Sequence, residues 1–293
     1  MYLKKFARES KESKRNLLDR DELAQHFSKV ISFYDDSIGY ISTLPSFHIG
    51  YNYATDKLME FASLHTTFNN KALLEIGCGL GTSLNYLINT FNVKYTGLDI
   101  NRQQIELLSK KISNQNLSEQ VSLHALNAQD ISTNLGKFDI VWSEDTFSHI
   151  PNRLKVLINI HKVLNKKGIL VFSDLVKKTE ISSDELIPQQ DAWCLWNLES
   201  KETYLQLIRQ AEFDVLECID NIGKTLLEEH LKEDITNGDI GYEAYLSHLI
   251  IEHDKYIKEW GEFNYNRRLE RLKTYVYLMT DKLDYNFYVV TKS

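Results

Sequence analysis

The sequence contains few cysteines and prolines and no long apolar run. The three cysteines, Cys78, Cys194 and Cys218, are an odd number without a Cys-x-x-Cys pair. A disulfide framework and a zinc site are therefore not expected. A reducing, cytoplasmic location is expected instead. Only three prolines occur in 293 residues, so no proline-rich hinge divides the chain. No apolar run approaches the roughly 20 residues that span a bilayer, and no membrane partner is expected.

The charge balance is acidic rather than basic. Lys and Arg total 34 against 41 Asp and Glu, which gives a formal net charge of −7. This balance argues against a nucleic-acid partner, which would favour a basic surface. The nine histidines include no H-E-x-x-H or comparable spacing, so no metal is expected. A hydrophobic fraction of 43% is ample for a large folded core.

The middle of the chain alternates between short apolar segments and segments with helical spacing. This alternation predicts an α/β fold in which a mostly parallel sheet has helices on both faces. In such sheets ligands bind beyond the carboxyl ends of the strands. The predicted strands are "ALLEIGC" (72–78), "KYTGLDI" (94–100), "VSLHALNA" (121–128), "FDIVWSED" (138–145), "ILVFSDL" (169–175), "DVLECIDN" (214–221) and "NFYVVTKS" (286–293).

Outside these strands the pattern predicts helices and one long connection. A helix is predicted over 151–168, with Pro151 near its start and Gly168 after its end. Residues 176–200 are interpreted as a long connection. The predicted organisation is an N-terminal arm and lid (1–60), a cofactor-binding core (61–221), a helical insertion or substrate cap (222–282) and a final strand of the core (283–293).

The stretch "EIGCGLG" places three glycines directly after the first strand. Gly77, Gly79 and Gly81 can adopt backbone angles that other residues avoid, and they keep side chains away from a ligand. A tight strand–helix turn alone would also explain them. However, Asp99 ends the second strand 22 residues after Gly77, where a carboxylate can bind both hydroxyls of a ribose. Glu75, just before the glycines, suits a ligand with an ammonium group.

These motifs, with "FDIVWSED" and "HKVLNKKGILVFSDL", resemble the class I S-adenosylmethionine (SAM)-dependent methyltransferases over residues 70–175. The resemblance implies a Rossmann-like seven-stranded sheet in the order 3-2-1-4-5-7-6, with the last strand antiparallel. It also implies SAM as the cofactor. Asn127 stands where family members often have an aspartate facing adenine, and Asp130 is the alternative. The implied cofactor-binding residues are Glu75, Gly77, Gly79, Gly81, Asp99, Ile100, Asn127, Ala128 and Ser143.

A closer resemblance concerns small-molecule N-methyltransferases that act on sarcosine, dimethylglycine and phosphoethanolamine. Ser143, Asp145 and His149 match their S-x-D-x-x-x-H pattern. The resemblance implies that His149 is the catalytic base and that Tyr34, in "FYDDS", bonds to it and closes a lid. Asp145 would orient either the substrate amine or the end of the strand. His149 could instead cap the following helix or fill a polar gap.

Two further segments complete the predicted site. "FHIGYNY" resembles the turn that closes over the cofactor, which implies roles for Ile49, Gly50 and Tyr51. Trp193 and Trp196 are candidates, with Tyr51, for aromatic faces against a cationic substrate, or they belong to the core.

The charges near the predicted site also bear on the acceptor. The segment "QQDAWCLWNLES" has no Arg or Lys, which weakens a phosphobase substrate. The candidate cations for an acidic substrate are Arg153, Arg209 and Lys178.

The sequence therefore predicts an enzyme that transfers a methyl group from SAM to a small-molecule acceptor, with an amine favoured. One alternative is C- or O-methylation of a small metabolite. Another is a protein that binds SAM without catalysis. A homodimer contact through the aromatic-rich insertion is one candidate assembly.

Overall fold

The predicted strands pair into one sheet in the computed structural model, which describes residues 25–32, 49–236 and 250–292. Their order is β3-β2-β1-β4-β5-β7-β6. Strand β7 is antiparallel to both neighbours, and the other pairings are parallel. The predicted sheet order is confirmed. The strands are β1 (Ala72–Ile76), β2 (Lys94–Asp99), β3 (Val121–Ala125), β4 (Phe138–Glu144), β5 (Leu164–Lys177), β6 (Phe213–Ile219) and β7 (Leu283–Lys292).

Helices cover both faces of this sheet. Helix α2 crosses the boundary predicted at residue 60. Within the described ranges, no helix combines the length and apolarity needed to cross a membrane. The helices are α1 (residues 25–32), α2 (Tyr51–Ser63), α3 (Thr82–Thr90), α4 (Arg102–Asn114), α5 (Arg153–Val163), α6 (Ser183–Trp193), α7 (Lys201–Gln210), α8 (Gly223–Thr236) and α9 (His253–Met279).

The central strands are apolar on both sides because each side faces a separate core. Leu73 and Trp142 belong to one buried cluster, whereas Leu74 and Val141, their neighbours in sequence, belong to the other. All four side chains are inaccessible to solvent. Successive strand residues point to opposite faces, so a continuous apolar run is what a doubly covered strand needs.

The helix predicted over 151–168 is shorter in the structure. Helix α5 ends at Val163, and the backbone of Leu164 is already extended. Asn165 Nδ2 donates to Asp139 Oδ1 at 2.9 Å, which holds this segment against the start of β4. The residues up to Gly168 thus extend strand β5 rather than the helix, with an irregularity in the β4–β5 register.

The connection predicted over 176–200 contains helix α6, which the sequence analysis missed. Ser182 Oγ donates to Glu185 Oε2 at 2.9 Å, and the backbone N–H of Leu186 donates to the carbonyl of Ser182 at 2.9 Å. The spacing S-x-x-E is a helix-start signature that was present in the sequence. Pro188 lies inside the helix, a position where proline is normally disfavoured.

Helices α8 and α9 form the predicted insertion between β6 and β7, and a buried carboxylate holds its root. Asp284, at the start of β7, accepts hydrogen bonds from the backbone N–H groups of Asn221 at 2.6 Å and Gly223 at 2.9 Å. Its side chain also accepts from the backbone of Tyr285 at 2.8 Å. One carboxylate therefore ties the end of the insertion to its beginning.

Replacing Asp284 with alanine should loosen this root. Three backbone donors would lose their acceptor inside the protein, so we expect the free energy of unfolding to fall by about 2–3 kcal/mol. Equilibrium urea denaturation measures this. Asp130→Ala is the matched control, because Asp130 is exposed and pairs with Lys155 at 3.4 Å. Equal losses in the two variants would contradict the role of Asp284.

Candidate active site

A pocket lies beyond the carboxyl ends of β1, β2 and β4. At this edge of the sheet, the turns that follow the parallel strands lie next to one another. The described wall of the pocket contains most of the predicted site residues. They are Ile49, Glu75, Gly77, Gly79, Asp99, Ile100, Asn127, Ala128, Asp145, His149 and Trp193.

Different physical constraints explain why each of the three positions in the turn is a glycine. All have positive φ, at 76°, 48° and 80° for Gly77, Gly79 and Gly81. A Cβ on Gly77 would lie 2.1 Å from Thr146 Oγ1, and one on Gly81 would lie 2.5 Å from Leu108 Cδ1. At Gly79 the nearest such atom is 3.3 Å away. Gly77 and Gly81 are thus required by the packing of the chain itself, whereas Gly79 keeps the pocket wall open.

Asp99 connects this glycine turn to the end of β2. Its Oδ2 accepts from the backbone N–H of Gly79 at 3.0 Å, and Oδ1 accepts from that of Asn101 at 2.8 Å. Burial raises the pKa of the carboxyl, and these backbone donors oppose the rise. Asp99 therefore sets the shape of the turn as well as contributing a carboxylate to the pocket.

Two buried acids lie together in the pocket wall. Glu75 accepts a hydrogen bond from the Tyr95 hydroxyl. Burial raises the pKa of Glu75 to about 8, and the nearby charge of Glu144 adds to this rise. Glu144 accepts from Trp142 Nε1 and Ser83 Oγ, each at 2.8 Å.

Sequence reasoning assigned no role to Glu144. The sequence signal was an acid at the end of the buried strand "FDIVWS", where the continuous apolar pattern calls for an apolar residue. Its partners lie on three different elements, because Thr55 of α2 also donates to it at 3.0 Å.

His149 ends a short 3₁₀ turn, Phe147–His149, that follows β4. Its Nδ1 lies 3.0 Å from the carbonyl oxygen of Cys194. A carbonyl only accepts, so Nδ1 carries the proton and Nε2 carries the lone pair. Burial lowers the pKa of His149 to about 4, so the ring is neutral near pH 7.

Arg153 does not line the pocket, but its side chain binds the backbone of the 3₁₀ turn that contains His149. The buried guanidinium donates to the carbonyls of Phe147 at 2.7 Å, Ser148 at 3.0 Å and Asn197 at 2.5 Å. It also meets Glu199 Oε1 at 3.4 Å. Arg153 thereby joins the 3₁₀ turn of His149 to the segment after α6, so the cation serves the structure of the site.

Asp145 has a left-handed backbone, with φ at 49°. Its carboxylate accepts from the hydroxyl of Tyr285, which lies on β7 and also lines the pocket. Burial raises the pKa of Tyr285 well above its ordinary value, so the hydroxyl remains a donor. The two residues form a hydrogen-bonded polar pair in the pocket wall.

The aromatic candidates separate into two groups. Trp193 lines the pocket, and its Nε1 donates to Thr274 Oγ1 of α9 at 2.8 Å. Trp196 does not line the pocket. Its ring is edge-on to that of His26, with 4.9 Å between the ring centroids. Tyr51 is also outside, because its ring stacks on His230 of α8 at 4.0 Å.

Three further predicted residues do not line the pocket but stabilise segments next to it. Ser143 is buried and donates to the carbonyl of Ile76 at 3.1 Å. Gly50 donates its backbone N–H to His230 Nδ1 at 3.4 Å, which connects the turn before α2 to the insertion. Gly81 is the N-cap residue of α3. Tyr34 lies outside the described residues.

The alternative positions for the adenine contact differ in location. Asn127 lines the pocket, and its Oδ1 accepts from the backbone N–H of Gln129 at 2.9 Å. Asp130 has a 61% exposed side chain and pairs with Lys155 at 3.4 Å. Asn127 is therefore the better placed of the two. Over the described ranges, no group of three or more His, Cys, Asp or Glu side chains is arranged to hold a metal ion.

Comparison with known proteins identifies the family. A family model described as a methyltransferase domain matches residues 67–264. The chain belongs to this methyltransferase family. A sarcosine/dimethylglycine N-methyltransferase of Halorhodospira halochloris is 24% identical to it over 208 residues, which cover 67% of this chain and 75% of that protein. The (+)-O-methylkolavelool synthase of Herpetosiphon aurantiacus is 27% identical over 162 residues, 54% of this chain and 57% of that protein.

Solved structures share the fold of this methyltransferase at low identity. A Galdieria sulphuraria protein described as a candidate sarcosine dimethylglycine methyltransferase has a TM-score of 0.72 at 18% identity, covering 89% of this chain and 98% of that one. Phosphoethanolamine N-methyltransferase 2 of Haemonchus contortus, in complex with SAM, has a TM-score of 0.62 at 16% identity, covering 81% and 52%. The predicted family and the SAM cofactor are confirmed.

The pocket of this methyltransferase fits SAM chemically. Glu75 is a buried carboxylate suited to the ammonium of the methionine part, and Asp99 is a carboxylate at the end of β2 suited to ribose hydroxyls. Gly79 lines the pocket and adds no side chain to this part of the wall. These assignments of individual residues to parts of SAM remain predictions.

The raised pKa of Glu75 predicts proton release when SAM binds. The free protein holds this proton up to about pH 8, whereas an ammonium beside the carboxyl favours the ionised form. We expect the Kd for SAM to fall as pH rises from 6 to 7.5, by up to about tenfold per pH unit. Isothermal titration calorimetry in buffers of different ionisation enthalpy measures both the Kd and the released proton.

Glu75→Gln should remove this pH dependence, and Glu106→Gln, at an exposed position of α4, should keep it. The ligand-free protein provides a second readout. Because the folded pKa of Glu75 exceeds the ordinary value of 4.5, the folded state binds the extra proton, and this group lowers stability progressively from about pH 4.5 to about pH 8. A SAM affinity with the same pH dependence in wild type and Glu75→Gln would contradict the assignment.

Proposed function

We propose that this methyltransferase transfers the methyl group of SAM to the nitrogen of a small-molecule amine, with His149 as the base. The observation that carries the proposal is the hydrogen bond between His149 Nδ1 and the Cys194 carbonyl, at 3.0 Å in the pocket wall. It makes Nε2 the basic nitrogen of the ring. An S-adenosyl donor supplies an already activated methyl group, so the protein has to orient the acceptor and exclude water.

His149 removes the proton that an amine must lose. Positive charge develops on the nitrogen as the new bond forms, and a neutral imidazole accepts that proton. Burial keeps the ring neutral at any pH well above 4, so Nε2 holds its lone pair near neutrality, while the same lowered pKa makes His149 a weaker base than a free imidazole. Two contacts fix the position of the ring. Arg153 donates to the carbonyls of Phe147 and Ser148, and the Cys194 carbonyl accepts from the ring itself.

The charges of the pocket support an amine acceptor. Asp145 and Glu144 lie in the wall at the end of β4, and the Tyr285 hydroxyl completes the polar edge. Carboxylates attract an ammonium and raise its local concentration before the reaction. The relative in H. halochloris is named as an N-methyltransferase, which agrees with this direction.

The second candidate is methylation of a hydroxyl group or a carbon atom. The apolar side chains of Leu175 and Leu195 in the wall favour it, because a neutral acceptor would pack there without needing a charge partner. The same base would serve a hydroxyl. Mass spectrometry and NMR of the product, after SAM is supplied with amines, phenols and prenyl alcohols in parallel, decide between nitrogen, oxygen and carbon.

His149→Ala should reduce kcat by about 100-fold or more, which is the usual contribution of a general base. Because the change leaves the residues predicted to hold SAM in place, the Kd for SAM should change less than threefold. Release of S-adenosylhomocysteine measures turnover, and calorimetry measures binding. His253→Ala, at an exposed position of α9, is the matched control. Unchanged turnover in His149→Ala would show that another group takes the proton.

A further inference from the structure

The described wall of the pocket contains acids but no Lys or Arg. Four carboxylates line it, from Glu75, Asp99, Glu144 and Asp145. Glu144 lies beside Glu75, so if Glu75 and Asp99 bind the cofactor, Asp145 is the carboxylate left for the acceptor. A carboxylate or phosphate on the acceptor would therefore meet like charges, and the described wall would give it no cation.

The cations predicted for an acidic acceptor lie elsewhere. The guanidinium of Arg153 is buried and occupied by backbone carbonyls. Lys178 pairs with Asp281 at 3.1 Å, and Arg209 is exposed in the last turn of α7. None of the three lines the pocket. Outside the described ranges, the stretches 33–48 and 237–249 contain no Lys or Arg, and the seven Lys and Arg residues of 1–24 all precede helix α1.

Apolar side chains and a fixed aromatic ring also line the pocket. Phe27, Leu175 and Leu195 lie there with Trp193. The indole of Trp193 is fixed by its bond to Thr274 Oγ1, and that hydroxyl in turn donates to Gln189 Oε1 at 2.5 Å. A ring held in one orientation is a preformed face for an apolar body or for a cationic nitrogen.

We propose that the acceptor is an amine on an apolar or aromatic body that carries no carboxylate or phosphate. This inference rests on the proposed N-methylation and adds the class of substrate to it. It distinguishes this chain from the relatives named for sarcosine, dimethylglycine and phosphoethanolamine. A carboxylate would have to leave water for an apolar, acidic wall without a compensating donor, which is strongly unfavourable.

Matched pairs of acceptors test the charge directly. Phenethylamine and phenylalanine differ by one carboxylate, as do tryptamine and tryptophan, and ethanolamine and phosphoethanolamine differ by one phosphate. With the full-length protein and SAM, we expect kcat/KM for each uncharged-body amine to exceed that of its anionic partner by at least about 100-fold. Sarcosine and dimethylglycine should be equally poor acceptors.

A gain-of-charge variant gives the complementary result. Leu195→Lys places a cation in the wall and should raise kcat/KM for phenylalanine relative to phenethylamine by about tenfold or more. Leu195→Gln, of similar size, should leave the preference unchanged. Circular dichroism and SAM affinity establish that both variants fold.

The outcomes separate this inference from the proposed function. If anionic amines react as well as or better than their partners, the inference is overturned and N-methylation stands. If only hydroxyl or carbon acceptors react, the proposed function fails and the amine class fails with it. If nothing reacts, competition for binding to the S-adenosylhomocysteine complex still compares the matched pairs, and equal affinity overturns the inference.

Discussion

The site depends on the contact between Thr146 and Gly77. A side chain of any size on Gly77 would overlap the Thr146 hydroxyl, so glycine allows the turn after β4 to lie directly on the turn after β1. Thr146 Oγ1 lies 3.3 Å from the carbonyl of Ile76, and Ser143 donates to the same carbonyl. This contact brings Asp145 and His149, on one side, to Glu75 on the other.

Much of the fold and part of the site could be predicted from sequence, for identifiable physical reasons. The strands could be found because a doubly covered strand is apolar throughout, and the glycines because positive φ limits the choice of residue. Helix α6 contains Pro188, a residue disfavoured inside helices, so its sequence pattern is weaker than that of the other helices. Glu144 was missed because its role comes from donors on α2, α3 and β4, which only the tertiary structure brings together.

Residues that contact each other across long distances in sequence explain the remaining differences. Trp193 and Trp196 are three residues apart, yet one lines the pocket and the other packs on His26. Their spacing does not say which of them faces the ligand. Likewise, Arg153 had the right charge for an acidic substrate, and only its three carbonyl partners show that its charge is used within the protein.

The root of the insertion has an evolutionary consequence. Because one carboxylate, Asp284, binds both ends of the segment between β6 and β7, the two ends are fixed at a single point of the sheet. The entropic cost of closing a loop grows only slowly with its length. A cap anchored in this way can lengthen, shorten or be exchanged while the cofactor half keeps its geometry. If the insertion is the predicted substrate cap, acceptor specificity can diversify as a replaceable module, separately from the residues that bind the cofactor.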